Sequence, residues 1–179
     1  MIVVDDIEIA PIKTHDAWKL CDFVCANESH LKRYFPKTLE QNLTPSLAEL
    51  FAEKKVKAFE NRIEFLFTLK RNVTREFLGL IYIKELDWDK KQGEFAYCID
   101  YRFAGNGITS RSIAELSDYA FKDLGIDTLQ IIAHKDHTAS IKVAKKNHFK
   151  WVSTLEKSYT PPGEHPLDME LYELYNYER

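Results

Sequence analysis

The hydrophobic positions of the chain follow a helical period in the first third of the sequence. Residues 7–12 form a short apolar run that predicts a strand, and residues 15–26 and 45–59 repeat apolar side chains every three or four positions, which predicts helices. Thr44 and Pro45 mark the start of the second helix, because threonine is a favoured N-cap and proline suits the first helical position. The first part of the chain is therefore predicted to be a strand followed by two helices.

The same pattern assigns boundaries and buried faces within these helices. Thr14 is the predicted N-cap of the first helix, and Pro36 is predicted to stop the helical stretch that follows it. The buried face of the helix over residues 45–59 is predicted to consist of Leu47, Leu50, Phe51 and Phe59.

The rest of the sequence combines strand and helix patterns. Strands are predicted over three runs separated by short polar turns, at residues 63–69, 77–86 and 94–99, and these turns indicate antiparallel pairing. Further along, helices are predicted at residues 108–124 and 138–147, and strands at residues 129–133, 149–155 and 167–175. This order predicts one domain over residues 1–179 of the α/β (α+β) class, with a mixed, mostly antiparallel central sheet flanked by helices.

Composition and charge narrow the classes of partner. The chain has 179 residues, 45% of them hydrophobic and 30% charged, with a net charge of -3. This charge favours no nucleic-acid partner, and the longest apolar runs are too short for a bilayer. The N-terminus lacks the basic region of a signal peptide, and three cysteines form no disulfide framework. We expect a cytoplasmic protein, monomeric or homodimeric, with no membrane contact.

A glycine-bearing turn between a predicted strand and a predicted helix is the strongest functional signal. Its spacing is Arg-x-x-Gly-x-Gly, over Arg102, Gly105 and Gly107. Free N–H groups at a helix N-terminus attract anions, and glycines let the backbone approach a phosphate closely. The spacing matches neither a dinucleotide-binding fingerprint nor a P-loop, because no Lys-Ser/Thr pair follows the second glycine.

This turn resembles the pyrophosphate loop of the GNAT acetyltransferases, Gln/Arg-x-x-Gly-x-Gly/Ala. The order of predicted elements also resembles the GNAT fold, whose mixed sheet is splayed near its middle. The resemblance implies that acetyl-CoA is the co-substrate and that a backbone group near Ile99 contacts the acetyl carbonyl. The residues implied to hold the cofactor are Ile99, Arg102, Phe103, Ala104, Gly105, Asn106, Gly107, Ile108, Thr109, His137 and Ser140.

A second block, residues 133–149, resembles the GNAT segment that follows the next strand. The ribosomal-protein N-terminal acetyltransferase branch, the Rim type, commonly has serine where Ser140 stands. Many family members use a tyrosine for the departing thiolate at the position of Ala144, so the resemblance gives that role to Ser140; the alternative is a helix serine that bonds its own backbone. His137 replaces the usual asparagine, and His148 replaces a glycine at a position that often needs a positive φ.

Candidate residues for the acceptor side lie on the strand before the loop. Glu94 resembles the catalytic glutamate of histone-type members and is a candidate base; the alternative is a solvated carboxylate at a strand end. Glu85 and Tyr97 are candidates for lining the acceptor groove. His134 and His137 lie near Asp136, but no further ligand cluster supports a metal site, so we expect no metal.

The sequence thus predicts an acetyl-CoA-dependent N-acetyltransferase of the GNAT superfamily, nearest the Rim-type branch, acting on a primary amine. A protein α-amine, with a reference pKa of about 7.7–8.0 against about 10.4 for lysine, needs less help from a base. The predicted acceptor is therefore a protein N-terminus, and the resemblance to the Rim-type branch implies one of the ribosomal type. Two alternatives stay open: a small-molecule amine such as an antibiotic or polyamine, and a non-catalytic acyl-CoA-binding regulatory module.

Overall fold

The computed structural model describes residues 1–178 of the chain as eight strands with intervening helices. The strands are β1 (Ile2–Val4), β2 (Ile7–Pro11), β3 (Phe65–Arg71), β4 (Phe77–Asp87), β5 (Gln92–Ile99), β6 (Thr128–His134), β7 (Lys150–Tyr159) and β8 (Leu167–Tyr175). The α-helices are α1 (Ala17–Ala26), α2 (Glu28–Leu31), α3 (Pro36–Glu40), α4 (Pro45–Glu60), α5 (Ile108–Tyr119) and α6 (Thr138–Lys146).

The strands form one mixed sheet in the order β1-β2-β3-β4-β5-β6-β8-β7. Strands β5 and β6 pair in parallel, whereas β1 with β2, β2 with β3, β6 with β8 and β7 with β8 pair antiparallel. The chain divides into two compact units: unit 1 consists of residues 1–82 and 97–104, and unit 2 consists of residues 83–96 and the chain from Gly105 onward. The predicted fold class is confirmed, and β1 is a strand that the sequence did not predict.

Unit 1 is built on the antiparallel strands β1, β2 and β3; helix α4 packs on β3, and α1 packs on α4. Strand β2 pairs with β3 from Ile7 opposite Arg71 to Pro11 opposite Phe67. The buried positions of α4 are Ala48, Phe51 and Ala52. The prediction of the buried face of α4 is therefore partly wrong: Leu47 and Leu50 are 41% and 54% exposed, because the small alanines face inward instead.

Two predicted helix boundaries in unit 1 are also wrong. Thr14 does not cap the first helix; the chain first makes a 3₁₀ turn over Thr14–Asp16, and the Asp16 carboxylate accepts the Lys13 N–H at 3.0 Å. Pro36 does not stop a helix but begins α3, as a residue that lacks an N–H can do at no cost in the first turn. The start of α4 is as predicted, since the Thr44 hydroxyl accepts the Leu47 N–H at 3.3 Å.

The buried charged side chains Glu8, Asp16 and Lys70 of unit 1 have charged partners. Glu8 on β2 accepts two hydrogen bonds from the guanidinium of Arg75, and Lys70 on β3 bonds the carboxylate of Asp16. The Arg75 hydrogen bonds, which outweigh the effect of burial, hold the pKa of Glu8 below its usual range. These pairs satisfy charges that would be costly to leave alone in the interior.

A close approach of two strands in unit 1 requires glycine at position 79 of β4. A Cβ built on Gly79 would lie 2.4 Å from the carbonyl oxygen of Cys98 and 3.0 Å from the Cα of Ile99. Neither atom belongs to a flexible side chain, so no side chain fits at this position.

Unit 2 contains the parallel crossover. Strand β5 pairs with β6 from Gln92 opposite Thr128 to Phe95 opposite Ile131, and β6, β8 and β7 continue the sheet. One face is apolar, with Leu129 and Ile131 buried, as expected where helices cover a sheet. The opposite face is polar: the side-chain amide of Gln130 accepts a hydrogen bond from Gln92 at 3.1 Å and donates one to Glu173 at 2.7 Å.

The helices of unit 2 end as the sequence predicted. Helix α5 continues as one π-helical turn over Ala120–Leu124 and stops at Gly125, whose φ of 74° places it in the left-handed region. Helix α6 is followed by His148, with a φ of 65°. The position that usually carries glycine in the resembling family thus needs a positive φ here as well, and histidine adopts it.

Candidate active site

The N-terminus of α5 is open to an anion. Gly107 is its N-cap, with a φ of 73°, and therefore offers no side chain to bond the first-turn N–H groups. The first turn contains no acidic residue, so nothing in the helix itself balances the positive end of its dipole. The N–H groups of Ile108, Thr109 and Ser110 have no partner within an α-helix, which makes them donors for a ligand.

Glycine is needed at both predicted positions of this turn. Gly105 has a φ of 84°, and a Cβ on Gly107 would lie 3.0 Å from Nη1 of Arg111. That same Nη1 donates to the carbonyl oxygen of Asn106 at 3.1 Å. The Arg111 side chain thereby holds the turn between the two glycines, and a larger residue at position 107 would strain the backbone and push this arginine away.

The predicted loop begins in unit 1, where its backbone donors are already used. The N–H of Arg102 donates to Oδ1 of Asp100 at 3.0 Å, the N–H of Phe103 to the Asp100 carbonyl at 2.9 Å, and the N–H of Ala104 to the Tyr101 carbonyl at 3.3 Å. The donors that remain for a phosphate therefore start at the first glycine of the motif.

Strand β6 has an open edge in unit 2. Its parallel ladder with β5 ends at the pair Phe95–Ile131, whereas Ile132, Ala133 and His134 continue to pair with β8. Within residues 1–178, no strand pairs with these three residues on their other side. Their backbone groups there can bond the amides of an extended ligand, as in strand addition.

Helix α6 places Ser140 in its first turn. Ser140 is 6% exposed, and Ala144, one turn further, is completely buried. His137 is the N-cap residue, but its side chain makes no capping hydrogen bond, and it is exposed. The sequence assigned Ser140 to the departing thiolate and His137 to cofactor contact, and Ala144 stands where the resembling family often has a tyrosine.

One residue that the sequence did not single out joins the two helices of this site. The side-chain amide of Asn147, at the C-cap of α6, donates to the Ser110 hydroxyl at 3.1 Å and to the Val143 carbonyl at 2.9 Å. It thus connects the end of α6 to the first turn of α5. An asparagine at a helix C-terminus is a signal for a cap, but only the structure gives its partner on the other helix.

Glu94 is neither free nor fully solvated. Its carboxylate lies 2.8 Å from the ammonium of Lys84 on β4, and its side chain is 15% exposed. The sequence did not identify Lys84, because the pairing depends on the register of two strands. Glu85 is exposed and has a φ of 49°, which interrupts the regular strand next to Lys84.

The remaining predicted site residues lie on the part of β5 that belongs to unit 1. Tyr97 and Ile99 are partly exposed there. Cys98 lies between them, and burial raises the pKa of its thiol to about 12. A neutral thiol is a poor nucleophile.

Neither a metal centre nor a membrane span is found among residues 1–178. No group of three or more His, Cys, Asp and Glu side chains in this range is arranged to hold a metal ion. Among the same residues, every helix is too short or too polar to cross a bilayer.

The chain belongs to the GNAT acetyltransferases, since the model of the acetyltransferase (GNAT) domain matches residues 6–150. It is therefore an acyltransferase, and acetyl-CoA is its co-substrate. The uncapped N-terminus of α5 and the open edge of β6 fit this molecule, because its pyrophosphate needs donors and its pantetheine arm carries amides.

Known relatives agree with this membership. A candidate ribosomal N-acetyltransferase of Bacillus subtilis, YdaF, is 24% identical over 149 residues, which is 82% of this chain and 79% of the relative. The fold is that of ribosomal-protein-S5-alanine acetyltransferase from Vibrio fischeri, with a TM-score of 0.90, 19% identity and coverage of 98% and 96% of the two chains. It is also that of the microcin C7 self-immunity acetyltransferase MccE, with a TM-score of 0.84, 19% identity and coverage of 96% and 93%.

Proposed function

We propose that this enzyme acetylates the N-terminal α-amine of a ribosomal protein in the cytoplasm. Residues 1–179 would form one catalytic domain, since a single family model spans residues of both compact units. The name of the B. subtilis relative supports an acceptor of the ribosomal class. The observation that carries the proposal is the ion pair between Glu94 and Lys84.

A paired carboxylate must leave or share its ion pair before it accepts a proton. The candidate base is therefore better suited to an amine that loses its proton near neutral pH. An α-amine, with a reference pKa of about 7.7–8.0, meets this condition, whereas a lysine side chain at about 10.4 does not. The ion pair thus favours an N-terminal acceptor over an internal lysine.

The chemical roles follow the order of events in acyl transfer. The N–H groups from Gly105 to Ser110 hold the pyrophosphate, and the edge of β6 orients the arm that carries the thioester. The acceptor amine attacks the carbonyl carbon, and its proton passes to Glu94 directly or through water. As the carbon–sulfur bond breaks, the Ser140 hydroxyl donates a hydrogen bond to the departing thiolate.

A panel of acceptors tests this proposal with acetyl-CoA and the wild-type enzyme. The first peptide has a free N-terminal serine or alanine and no lysine; the second has a blocked N-terminus and one lysine; the third acceptor is spermidine. We expect CoA release, measured as free thiol, with the first peptide only, and mass spectrometry should place the acetyl group on its α-nitrogen.

The other outcomes identify the alternatives. Turnover with spermidine alone would contradict the proposal and indicate a small-molecule amine as acceptor. Binding of acetyl-CoA without turnover of any acceptor, including proteins extracted from ribosomes, would indicate a non-catalytic acyl-CoA-binding module.

A further inference from the structure

The arginine that opens the Arg-x-x-Gly-x-Gly motif is directed towards a protein carboxylate. Nε and Nη2 of Arg102 donate to Oδ1 and Oδ2 of Asp100 at 3.0 and 2.8 Å, a bidentate pair. The Asp100 side chain is only 2% exposed, whereas that of Arg102 is 51% exposed. With the Arg102 N–H as a third donor, both carboxylate oxygens of Asp100 accept hydrogen bonds from one residue.

The electrostatics of Asp100 agree with this geometry. Burial of its carboxyl alone would raise the pKa, but the hydrogen bonds and positive charge of Arg102 outweigh that effect and hold the pKa of Asp100 below its usual range. The bidentate pair occupies the Nε–Nη2 edge of the guanidinium, and Nη1 lies 3.6 Å from Oε1 of Glu76, so two protein carboxylates already surround the positive charge of Arg102.

A second residue, Asn27, holds the same turn from the other side. Asn27 follows α1, is completely buried, and accepts the N–H of Tyr101 at 2.9 Å through Oδ1. Its amide nitrogen donates to the Phe23 carbonyl at 2.9 Å, so both ends of the side chain are bonded. The Tyr101 ring also stacks on His30 of α2, with centroids 5.5 Å apart and planes 14° apart.

The ring of Phe103 is held by two arginine side chains. The guanidinium carbons of Arg102 and Arg71 lie 5.2 and 5.5 Å from the centroid of its ring. Every residue of the turn from Tyr101 to Ala104 is thus held by a hydrogen bond or a ring contact within unit 1. Ala104 is bonded covalently to Gly105, the first glycine of the motif.

From this geometry we infer that Arg102, Asp100 and Asn27 are positioning residues for the acetyl-CoA loop. Arg102 does not bind a phosphate; it fixes the turn through Asp100, and Asn27 ties that turn to the end of α1. The phosphate donors begin at Gly105. The inference rests on the proposed role of the loop in binding acetyl-CoA, and wild-type binding of CoA tests that role separately.

The variants are chosen to separate charge from geometry. Arg102→Lys keeps the positive charge but loses the planar fork, and Arg102→Gln loses both. If the fork holds Asp100, both variants should bind CoA about ten-fold more weakly in calorimetry, as expected for the loss of charge-assisted hydrogen bonds. If Arg102 contacted a phosphate by its charge, Arg102→Lys would bind nearly as well as wild type, and the inference would be overturned.

A double-mutant cycle tests the coupling to Asp100. Asp100→Asn alone should also weaken CoA binding by about ten-fold, and Asp100→Asn with Arg102→Gln should be no weaker than either single variant, because all three lose the same pair. An additive loss of about a hundred-fold would show that the two residues act independently and would contradict the inference.

Comparison with a shorter substrate distinguishes positioning of the loop from general damage to the fold. S-acetylpantetheine carries the thioester but no pyrophosphate. In Arg102→Gln and in Asn27→Leu, KM for acetyl-CoA should rise, while kcat/KM for S-acetylpantetheine should stay within about two-fold of wild type. Equal losses on both substrates would indicate a merely structural role.

Glu76→Gln is the matched control. Glu76 approaches the same guanidinium at 3.6 Å but is 38% exposed, so its contribution should be small. We expect CoA binding within about two-fold of wild type. A loss equal to that of Asp100→Asn would show that the charge around Arg102, and not the bidentate pair, matters.

Discussion

Helices α4 and α5 begin in opposite ways. Helix α4 satisfies its own first turn: Thr44 accepts the N–H of Leu47, and Pro45 has no N–H to satisfy. Helix α5 begins at Gly107, which has no side chain and a positive φ. Both helices face the same shortage of backbone partners at their N-termini, and of the two N-cap residues only Thr44 supplies a side-chain hydrogen bond.

This difference separates polar groups that stabilise the fold from polar groups kept for the reaction. Glu8 is a polar group of the first kind, as Thr44 is, because its hydrogen-bond partner Arg75 is part of the protein. Under the proposed function, the donors at the start of α5 and the Ser140 hydroxyl take part in the reaction and belong to the second kind. Changes in the first kind should lower stability and spare ligand binding, and changes in the second kind should do the reverse.

The largest expected effect is that of Gly107→Val on CoA binding. Acetyl-CoA should raise the Tm of the wild type by mass action, whereas the variant should show no shift because a β-branched residue strains the turn and displaces Arg111. Differential scanning fluorimetry with and without acetyl-CoA measures both. A wild-type shift in the variant would refute the role of α5 as the phosphate site.

Glu94→Gln should lower kcat/KM by about 10²-fold at neutral pH if Glu94 accepts the proton of the amine. At high pH the acceptor deprotonates unaided, so the variant should partly recover there. The pH–rate profile from neutral to alkaline pH measures this. A profile equal to wild type in height and shape would remove Glu94 from the reaction and leave it as the partner of Lys84.

Ser140→Ala should reduce kcat by about ten-fold to a hundred-fold, because a hydrogen bond to a charged group contributes roughly 1.5–3 kcal/mol. KM for acetyl-CoA should change little, since the bond strengthens only as charge builds on the sulfur. Steady-state kinetics at saturating acceptor measure the effect. Unchanged kcat with a small loss of stability would move Ser140 to the group of structural residues.

Glu8→Gln should affect stability and its pH dependence without changing CoA affinity. Because the folded state lowers the pKa of Glu8, its contribution is present above its ordinary pKa of about 4.5 and is lost as pH falls through the lowered value. We expect a loss of roughly 1–2 kcal/mol at pH 7, reduced from a fully buried pair because Arg75 is 45% exposed.

Urea unfolding of wild type and Glu8→Gln at pH values from about 7 to 3 checks this. The difference between the two proteins should shrink on acidification. A difference that stays constant across that range would mean that the carboxylate charge of Glu8 does not stabilise the fold.

The smallest expected effect is that of Thr44→Ala, a loss of about 1 kcal/mol in the free energy of unfolding, as is usual for an N-cap. Acetyl-CoA should shift the Tm of this variant as much as that of the wild type. Together with Gly107→Val, it gives a direct contrast between a helix start used for stability and one used for a ligand.

Local signals in the sequence predicted most helix boundaries that depend on a single residue's backbone preference, although the predictions for Thr14 and Pro36 were wrong. Several residues occupy the helix boundary that their backbone or capping preference favours: Thr44 with Pro45, Gly107, Gly125 and His148. The GNAT fold followed from the order of these elements together with the loop motif.

Features that depend on a distant partner could not be predicted in this way. Leu47 and Leu50 had the right spacing for a buried face, but the close packing of α4 selected Ala48 and Ala52 instead. In the candidate site, the sequence identified Glu94 and not Lys84, because only the strand register brings the two within 2.8 Å. Helix periodicity identifies which residues share an apolar face, but it does not identify the element that packs against that face.

Gly79 constrains how this chain can diverge over time. Every single-nucleotide change that alters a glycine codon to another amino acid introduces a β-carbon, and at position 79 that atom would meet the carbonyl oxygen of Cys98 at 2.4 Å. Substitutions are therefore not tolerated at Gly79, although this residue has no proposed contact with either substrate. Purifying selection at position 79 would reflect the spacing of two backbones and would carry no information about the acceptor.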